Sequence, residues 1–290
     1  MSERVWTIRD ALGWTIDYFT RKQVSEPRRS AEWLLSAATG LSRVELYAHH
    51  DRPLSAEERA RFRDGIERRV AGEPLQYVTG EMPFRHLVLR VRPGVFIPRP
   101  ETEVLVDVAL AALPVTDETI AIDLCTGSGA VAVSLAIENP WAIVYATDLN
   151  PLAVETTWDN AARAGAGGRV NAFEGDLFEP LPAEVHGRAE LVVANPPYIP
   201  SADIPTLPAE VLGFEPRLAL DGGADGLETA RRIVAEAPEW LTPGGTLAME
   251  LDETRVGDMA HELAAAGWRD VRVTRDLAGR DRVASGRRPA

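Results

Sequence analysis

Over the first 85 residues apolar positions recur at helical spacing, and the punctuation is that of short helices. Thr7 with Asp10, Ser30 ahead of Trp33-Leu34-Leu35, and Ser55 with Glu58 are start signals, the last a capping box, while Gly40 and Gly72 stand where helices stop. Trp6, Trp14, Trp33, Leu34 and Leu35 supply a small core, since aromatic residues at this spacing are far more often packing than a stacking platform for bases. From Phe84 to Phe96 apolar and polar residues alternate until Pro98 and Pro100, the pattern of a short hairpin or extended connector. Beyond residue 100 strand patterns alternate with helical ones. Strands are expected over 120–124, 143–147, 170–174, 191–194, 246–251, 271–274 and 281–284, with helices such as 130–137, 152–164, 227–240 and 255–266 between most of them. That alternation predicts an α/β fold with a mainly parallel seven-stranded sheet covered on both faces. The boundaries read as a helical domain over 1–83, a hairpin or linker over 84–97 and a larger domain over 98–290.

Composition narrows the classes. The net charge of −13 and pI near 4.9 argue against nonspecific affinity for nucleic acid or an anionic membrane. Residues 1–85 are nearly balanced, with 14 basic and 13 acidic side chains, so the acidity belongs to the rest of the chain. The balanced region could approach a ribonucleoprotein or an acidic partner. Cys125 is the only cysteine, which excludes an intrachain disulfide and cysteine-clustered zinc, and a reducing, cytoplasmic location follows. Lys22 is the only lysine and lies in a polar segment, which rules out a phosphate-loop lysine and disfavours Schiff-base chemistry. The N-terminus lacks an apolar signal core, and no apolar stretch is long and charge-free enough to span a bilayer.

The chemistry concentrates at four strand ends. After the run 191–194 come Asn195-Pro196-Pro197-Tyr198, which suit the gripping of a planar NH2 group. The nitrogen of an amide or ring amine is a poor nucleophile, so reaction there needs acceptors for both N–H bonds and a flat surface for the plane. The Asn195 side-chain carbonyl and the Pro196 backbone carbonyl supply the acceptors, Tyr198 can stack, and the two prolines stiffen the grip. After the first strand, Asp123-Leu124-Cys125-Thr126-Gly127-Ser128-Gly129 opens a helix, and its glycines let the backbone approach a ligand where open α/β sheets bind one. Asp148 ends the second strand, placed to grip a ribose diol or to cap the helix before Pro151. Asp176, after the third strand, could accept from an adenine amino group or be a solvated turn residue. Together these features fall on one edge of the sheet.

On these residues the chain resembles the Rossmann-like S-adenosylmethionine-dependent methyltransferases. Within them it is similar to the protein-(glutamine-N5) methyltransferases acting on peptide-chain release factors, the HemK/PrmC family. The resemblance covers nearly the whole chain. It runs through Gly72-Glu73-Pro74-Leu75-Gln76-Tyr77, Ile97-Pro98-Arg99-Pro100-Glu101-Thr102-Glu103, the glycine turn, Asn195-Pro196-Pro197-Tyr198-Ile199, Phe214-Glu215-Pro216 and the tail from Arg275 to Arg282. It implies that Cys125, Thr126, Gly127, Ser128 and Gly129 wrap the methionine part of S-adenosylmethionine, that Asp148 holds its ribose, and that Asp176 and Leu177 border its adenine. Asn195 would sit between cofactor and substrate, with Pro196, Pro197 and Tyr198 completing the substrate grip. Two positions depart from the family pattern: Cys125 replaces the first glycine of the turn, and Leu177 stands where some relatives have an aromatic residue.

The implied reaction methylates the glutamine amide of a Gly-Gly-Gln tip in a release factor, with the helical domain docking that protein. No membrane or direct nucleic-acid substrate is expected. The five histidines show no triad or metal-ligand spacing, so neither a general base nor a metal is expected. Glu215 and Arg217 could pair to close a lid over the substrate, and Arg99 and Glu101 could brace the cofactor pocket or serve a helix start. The main rival is a DNA or RNA adenine N6 methyltransferase, which uses the same tetrapeptide on a flipped base but calls for a basic stripe. A nicotinamide-dependent oxidoreductase leaves Asn195-Pro196-Pro197-Tyr198 unexplained, and intact Asn195 and Asp148 argue against a noncatalytic scaffold.

Overall fold

A computed structural model of the chain describes residues 5–115 and 117–289. The chain divides into two compact units, one from the residues up to Glu81 together with Pro208–Phe214, the other from Met82–Leu207 and the residues from Glu215 onward.

The first unit contains α1 (Ile8–Arg21), α2 (Pro27–Thr39), α3 (Arg43–Ala48), α4 (Ala56–Val70) and α5 (Leu75–Thr79). Capping boxes at Thr7/Asp10, Ser42/Glu45 and Ser55/Glu58 begin α1, α3 and α4, each satisfying backbone N–H groups that the first helical turn leaves unpaired. Ser30 is not a helix start: α2 begins at Pro27, and the Ser30 hydroxyl turns back to the Ser25 carbonyl. The core is aliphatic more than indole, with Ile8, Phe19, Leu34, Leu35 and Leu46 at its centre and Trp6 and Trp33 at its margin. Trp14 is half exposed and stacks on Tyr18 with ring centroids 4.9 Å apart. Residues 208–214, including α9 (Ala209–Phe214), belong to this unit through the Glu210–Arg69 ion pair at 3.0 Å.

The second unit opens with a two-stranded sheet, β1 (Glu81–Phe84) and β2 (Leu87–Arg90), which begins earlier than the 84–97 segment that carries the alternation. Arg85 at its turn forks onto Glu138 and reaches Asp107 at 2.7 Å. There follow α6 (Thr102–Ala112), β3 (Thr119–Leu124), α7 (Ala130–Glu138), β4 (Ala142–Asp148), α8 (Pro151–Arg163), β5 (Val170–Glu174) and β6 (Ala189–Ala194). Beyond α9 come α10 (Glu228–Trp240), β7 (Leu241–Glu250), α11 (Val256–Ala265), β8 (Arg269–Arg275) and β9 (Asp281–Arg287). The seven strands β3 to β9 form one sheet in the order β5-β4-β3-β6-β7-β9-β8, parallel except for β9 against both its neighbours. All six residues of β3 and five of six in β6 are buried, as expected of central strands covered on both faces.

This order positions the site. The chain steps outward from β3 through β4 to β5, then returns to lay β6 on the other side of β3, which leaves a crevice where the winding reverses. Register sets the level: Leu124 lies beside Thr147 on one side and Ala194 on the other. The residues that leave these strands, Cys125, Asp148 and Asn195, therefore emerge side by side.

Candidate active site

The glycine turn is held from below by a buried acid. The Asp123 carboxylate accepts the Thr126 hydroxyl at 2.6 Å and the Ala132 N–H at 3.1 Å, tying strand, turn and helix together. Burial pushes its carboxyl up to about 7. Cys125 has φ 58° and Leu177 has φ 47°, both in the left-handed region where a Cβ is strained. The two departures from the family pattern thus fall on the two positions near the site where glycine would be easiest. The Cys125 thiol is pushed well up by burial and by the carboxylates of Asp148, Asp123 and Asp176, which disfavours the thiolate.

The two glycines of the turn do different work. A Cβ on Gly127 would meet nothing nearer than Phe96 at 3.9 Å, so this residue leaves open space in the cavity wall. A Cβ on Gly129 would press on Thr157 at 2.9 Å, with its Cα at 3.1 Å, so Gly129 serves the packing of α7 against α8 and not approach to a ligand. The cavity is lined by Cys125, Thr126, Gly127, Ser128, Asn195 and Thr102, among others. Gly129, Asp148, Asp176, Leu177, Pro196, Pro197 and Tyr198 do not line it.

Asp148 is not the helix cap. Asn150 caps α8, accepting the Leu152 N–H at 3.0 Å, while Asp148 accepts the N–H groups of Gly127 and Asn150, each at 2.9 Å. Each Asp148 oxygen keeps a lone pair free, and burial pushes its pKa upward. Asp176 is engaged by both arms of Arg232 from α10, at 2.8 and 3.2 Å. Leu177 is buried in the core beneath the turn.

Asn195 leaves β6 with its amide nitrogen donating to the Thr102 hydroxyl at 3.2 Å, across from the first turn of α6. Tyr198 packs on the core, and burial raises its hydroxyl pKa far above the ordinary value. A second strand-like segment clamps the tetrapeptide: Ile199 N–H donates to Leu220, and Gly222 N–H donates back to Ile199. A Cβ on Gly222 would meet the Pro197 carbonyl at 2.7 Å and the Tyr198 Cα at 2.8 Å. Gly222 and Thr102 are site residues that sequence reasoning missed; the run Asp221-Gly222-Gly223 was the available signal for the first.

The expected Glu215–Arg217 pair does not form. Buried Glu215 accepts Arg99 at 2.5 Å and the Ile97 N–H at 3.4 Å, whereas Arg217 reaches Asp221 at 2.9 Å. Glu101 pairs with Arg280, which also holds Asp276, both at 2.9 Å. The entrance segment, the segment around Glu215 and the tail are thus stitched by ion pairs beside the site. Among the described residues no three His, Cys, Asp or Glu side chains converge as a metal site.

The fold of the larger unit is shared with solved methyltransferases. A methyltransferase from Pyrococcus furiosus is similar over 70% of this chain and 89% of its own, with TM-score 0.51 and 18% identity. The hMettl16 catalytic domain, in complex with a 3′UTR hairpin, is similar over 68% of this chain and 74% of its own, with TM-score 0.54 and 14% identity. These likenesses show the fold alone, that of the Rossmann-like methyltransferase class. Residues 10–80 match the PrmC N-terminal domain, and residues 87–207 match the methyltransferase small domain. Curated relatives, each called release factor glutamine methyltransferase, are 46% identical in Geobacter sulfurreducens (98% of this chain, 97% of the relative) and 40% in Deinococcus radiodurans (97% and 98%). The chain belongs to the release factor glutamine methyltransferase family and is an S-adenosylmethionine-dependent protein-glutamine methyltransferase. The residues fit that cofactor. Ser128 presents in the cavity wall a buried hydroxyl with no partner among the described residues, Gly127 leaves the wall open, and Asp148 keeps lone pairs suited to a diol.

Proposed function

We propose that the chain methylates the side-chain amide nitrogen of the glutamine in the Gly-Gly-Gln tip of peptide-chain release factors. The observation that carries this reading is the committed Asn195 amide. With its nitrogen given to Thr102, its oxygen is the group left to accept a substrate N–H at the crevice. The Pro196 carbonyl takes the second N–H, and Tyr198 offers a ring on which the amide plane can stack. S-adenosylmethionine held there would supply a methyl group already activated on a sulfonium, departing as the neutral thioether, with the displaced amide proton passing to water. The chain's task is then orientation, which is worth roughly 7–11 kcal/mol of barrier. Acceptors on both N–H groups also favour the nitrogen as it gains positive character, stabilising the transition state over the ground state.

In this reading Cys125, Thr126, Gly127 and Ser128 hold the methionine part, with Gly129 fixing the turn, while Asp148 takes the ribose and Asp176 with Leu177 borders the adenine. The helical region, where residues 10–80 match the PrmC N-terminal domain, docks the release factor. The reaction takes place in the cytoplasm, where release factors work, with no direct nucleic-acid substrate. Radiolabelled methyl from S-adenosylmethionine is expected on a purified release factor, and on neither its Gln-to-Ala tip variant nor duplex DNA. Label on DNA would instead move the activity to adenine.

A further inference from the structure

Behind Asn195 lies a buried cluster of polar side chains from three distant segments. The parallel register of β6 and β7 pairs Ala194 with Met249, so Asn195 and Glu250 follow side by side at the carboxyl ends of these strands. Glu250 is 1% exposed and Thr102 3%, and the Thr102 hydroxyl, which receives the Asn195 amide N–H, sits near enough to the Glu250 carboxylate to favour its charged form. The second Glu250 oxygen has no hydrogen-bond partner among the described residues.

We infer that Glu250 and Thr102 are positioning residues that set which way the Asn195 amide faces, a role that rests on the methyl-transfer reading above. A hydroxyl has one hydrogen. An ionised Glu250 is an acceptor alone and claims that hydrogen, so the Thr102 oxygen can only accept. The Asn195 edge facing it must then be NH2, and the amide oxygen is turned to the substrate. Without the carboxylate, the Thr102 hydroxyl donates as readily as it accepts, and Asn195 can present NH2 to a substrate that also presents NH2. Burial pushes Glu250 up to about 7, and the nearby Arg282 and Arg99 oppose that shift, so the acceptor form prevails above neutrality.

Thr102→Val removes the hydroxyl at nearly constant volume, and Thr102→Ser restores it. Methyl transfer to a release factor is expected to show kcat reduced roughly 10–100-fold in Thr102→Val, with S-adenosylmethionine Kd within about threefold of wild type, and recovered in Thr102→Ser. In a double-mutant cycle, adding Thr102→Val to Asn195→Ala should cost nothing further, because the amide it orients is gone. A Thr102→Val enzyme with wild-type kcat, a serine variant as slow as the valine one, or losses that multiply in the double mutant would each overturn the inference. Absence of transfer by the wild-type chain to any release factor would instead overturn the substrate reading and leave the cofactor affinities to be compared.

Discussion

Asn195 carries the chemistry of the proposed grip, and its contribution falls on the transition state. Asn195→Ala is expected to lower kcat by roughly 10²–10³-fold, the scale of losing one preorganised hydrogen bond at a reacting group. S-adenosylmethionine affinity, measured by calorimetry, should change by less than about fivefold; a variant with normal turnover contradicts the role. Cys125 is a different residue-scale case. Its left-handed backbone costs roughly 1–2 kcal/mol, and glycine there would regain that while losing about 0.4–1 kcal/mol to a freer unfolded chain. Cys125→Gly is expected to shift stability by no more than about 1 kcal/mol in denaturant unfolding. A loss above about 2 kcal/mol would show that the side chain's packing on the core outweighs the strain.

At the scale of elements, the tetrapeptide depends on the segment that clamps it. Gly222→Ala would drive a methyl into the Pro197 carbonyl, a backbone group that cannot step aside. The expected result is at least a tenfold loss of transfer, with added proteolytic sensitivity at the loop; unchanged activity would mean that the clamp is not needed. The sheet strands were legible because β3 and β6 are unbroken apolar runs ending in polar residues, and because helical periodicity separates most of them. The helix α6 is not among the helices that periodicity gives, since the only charged positions in Thr102–Ala112 are Glu103 and Asp107, too narrow a polar face to stand out against the apolar remainder. The strand β7 starts at Leu241, earlier than expected, because the sequence Pro243-Gly244-Gly245 reads as a loop. Of the site, the strand-end motifs were visible as local sequence. The Asn195–Thr102–Glu250 cluster was not, because Thr102 lies 93 residues before Asn195 and Glu250 about 55 after it, and they meet only in the folded chain. The Glu215 pairing failed for a related reason: Arg217 is near in sequence, but buried Glu215 is claimed by Arg99 and the Ile97 N–H.

For the whole molecule, burial makes stability and activity respond to pH in opposite directions. Asp123 and Glu250 are each held at about 7, above the ordinary carboxylate range, and Asp148 is also raised. The folded state therefore binds more protons than the unfolded one between about 4 and 7, so stability falls as pH rises through that window. Carboxylates lowered by their partners, such as Glu138, Asp221 and Asp276, lose their contribution only on further acidification toward their ordinary range. Tm is expected to be higher near about pH 5.5 than near about pH 8, with Glu250→Gln flattening the difference. Over the same window kcat should fall on acidification, as protonated Glu250 becomes a donor and frees the Thr102 hydrogen to turn toward Asn195. Glu250 is faced by Arg99, Glu101, Arg282 and Tyr198, and Arg99 and Arg282 hold its pKa below what burial alone would set. Activity that rises on acidification contradicts this arrangement.

The central claim is that this site methylates a planar amide nitrogen presented by a protein. The most direct measurement is fragmentation mass spectrometry of a release factor after incubation with the wild-type chain and S-adenosylmethionine. The account predicts one added methyl group on the side-chain nitrogen of the Gly-Gly-Gln glutamine. A methyl group on any other residue of the factor would contradict it.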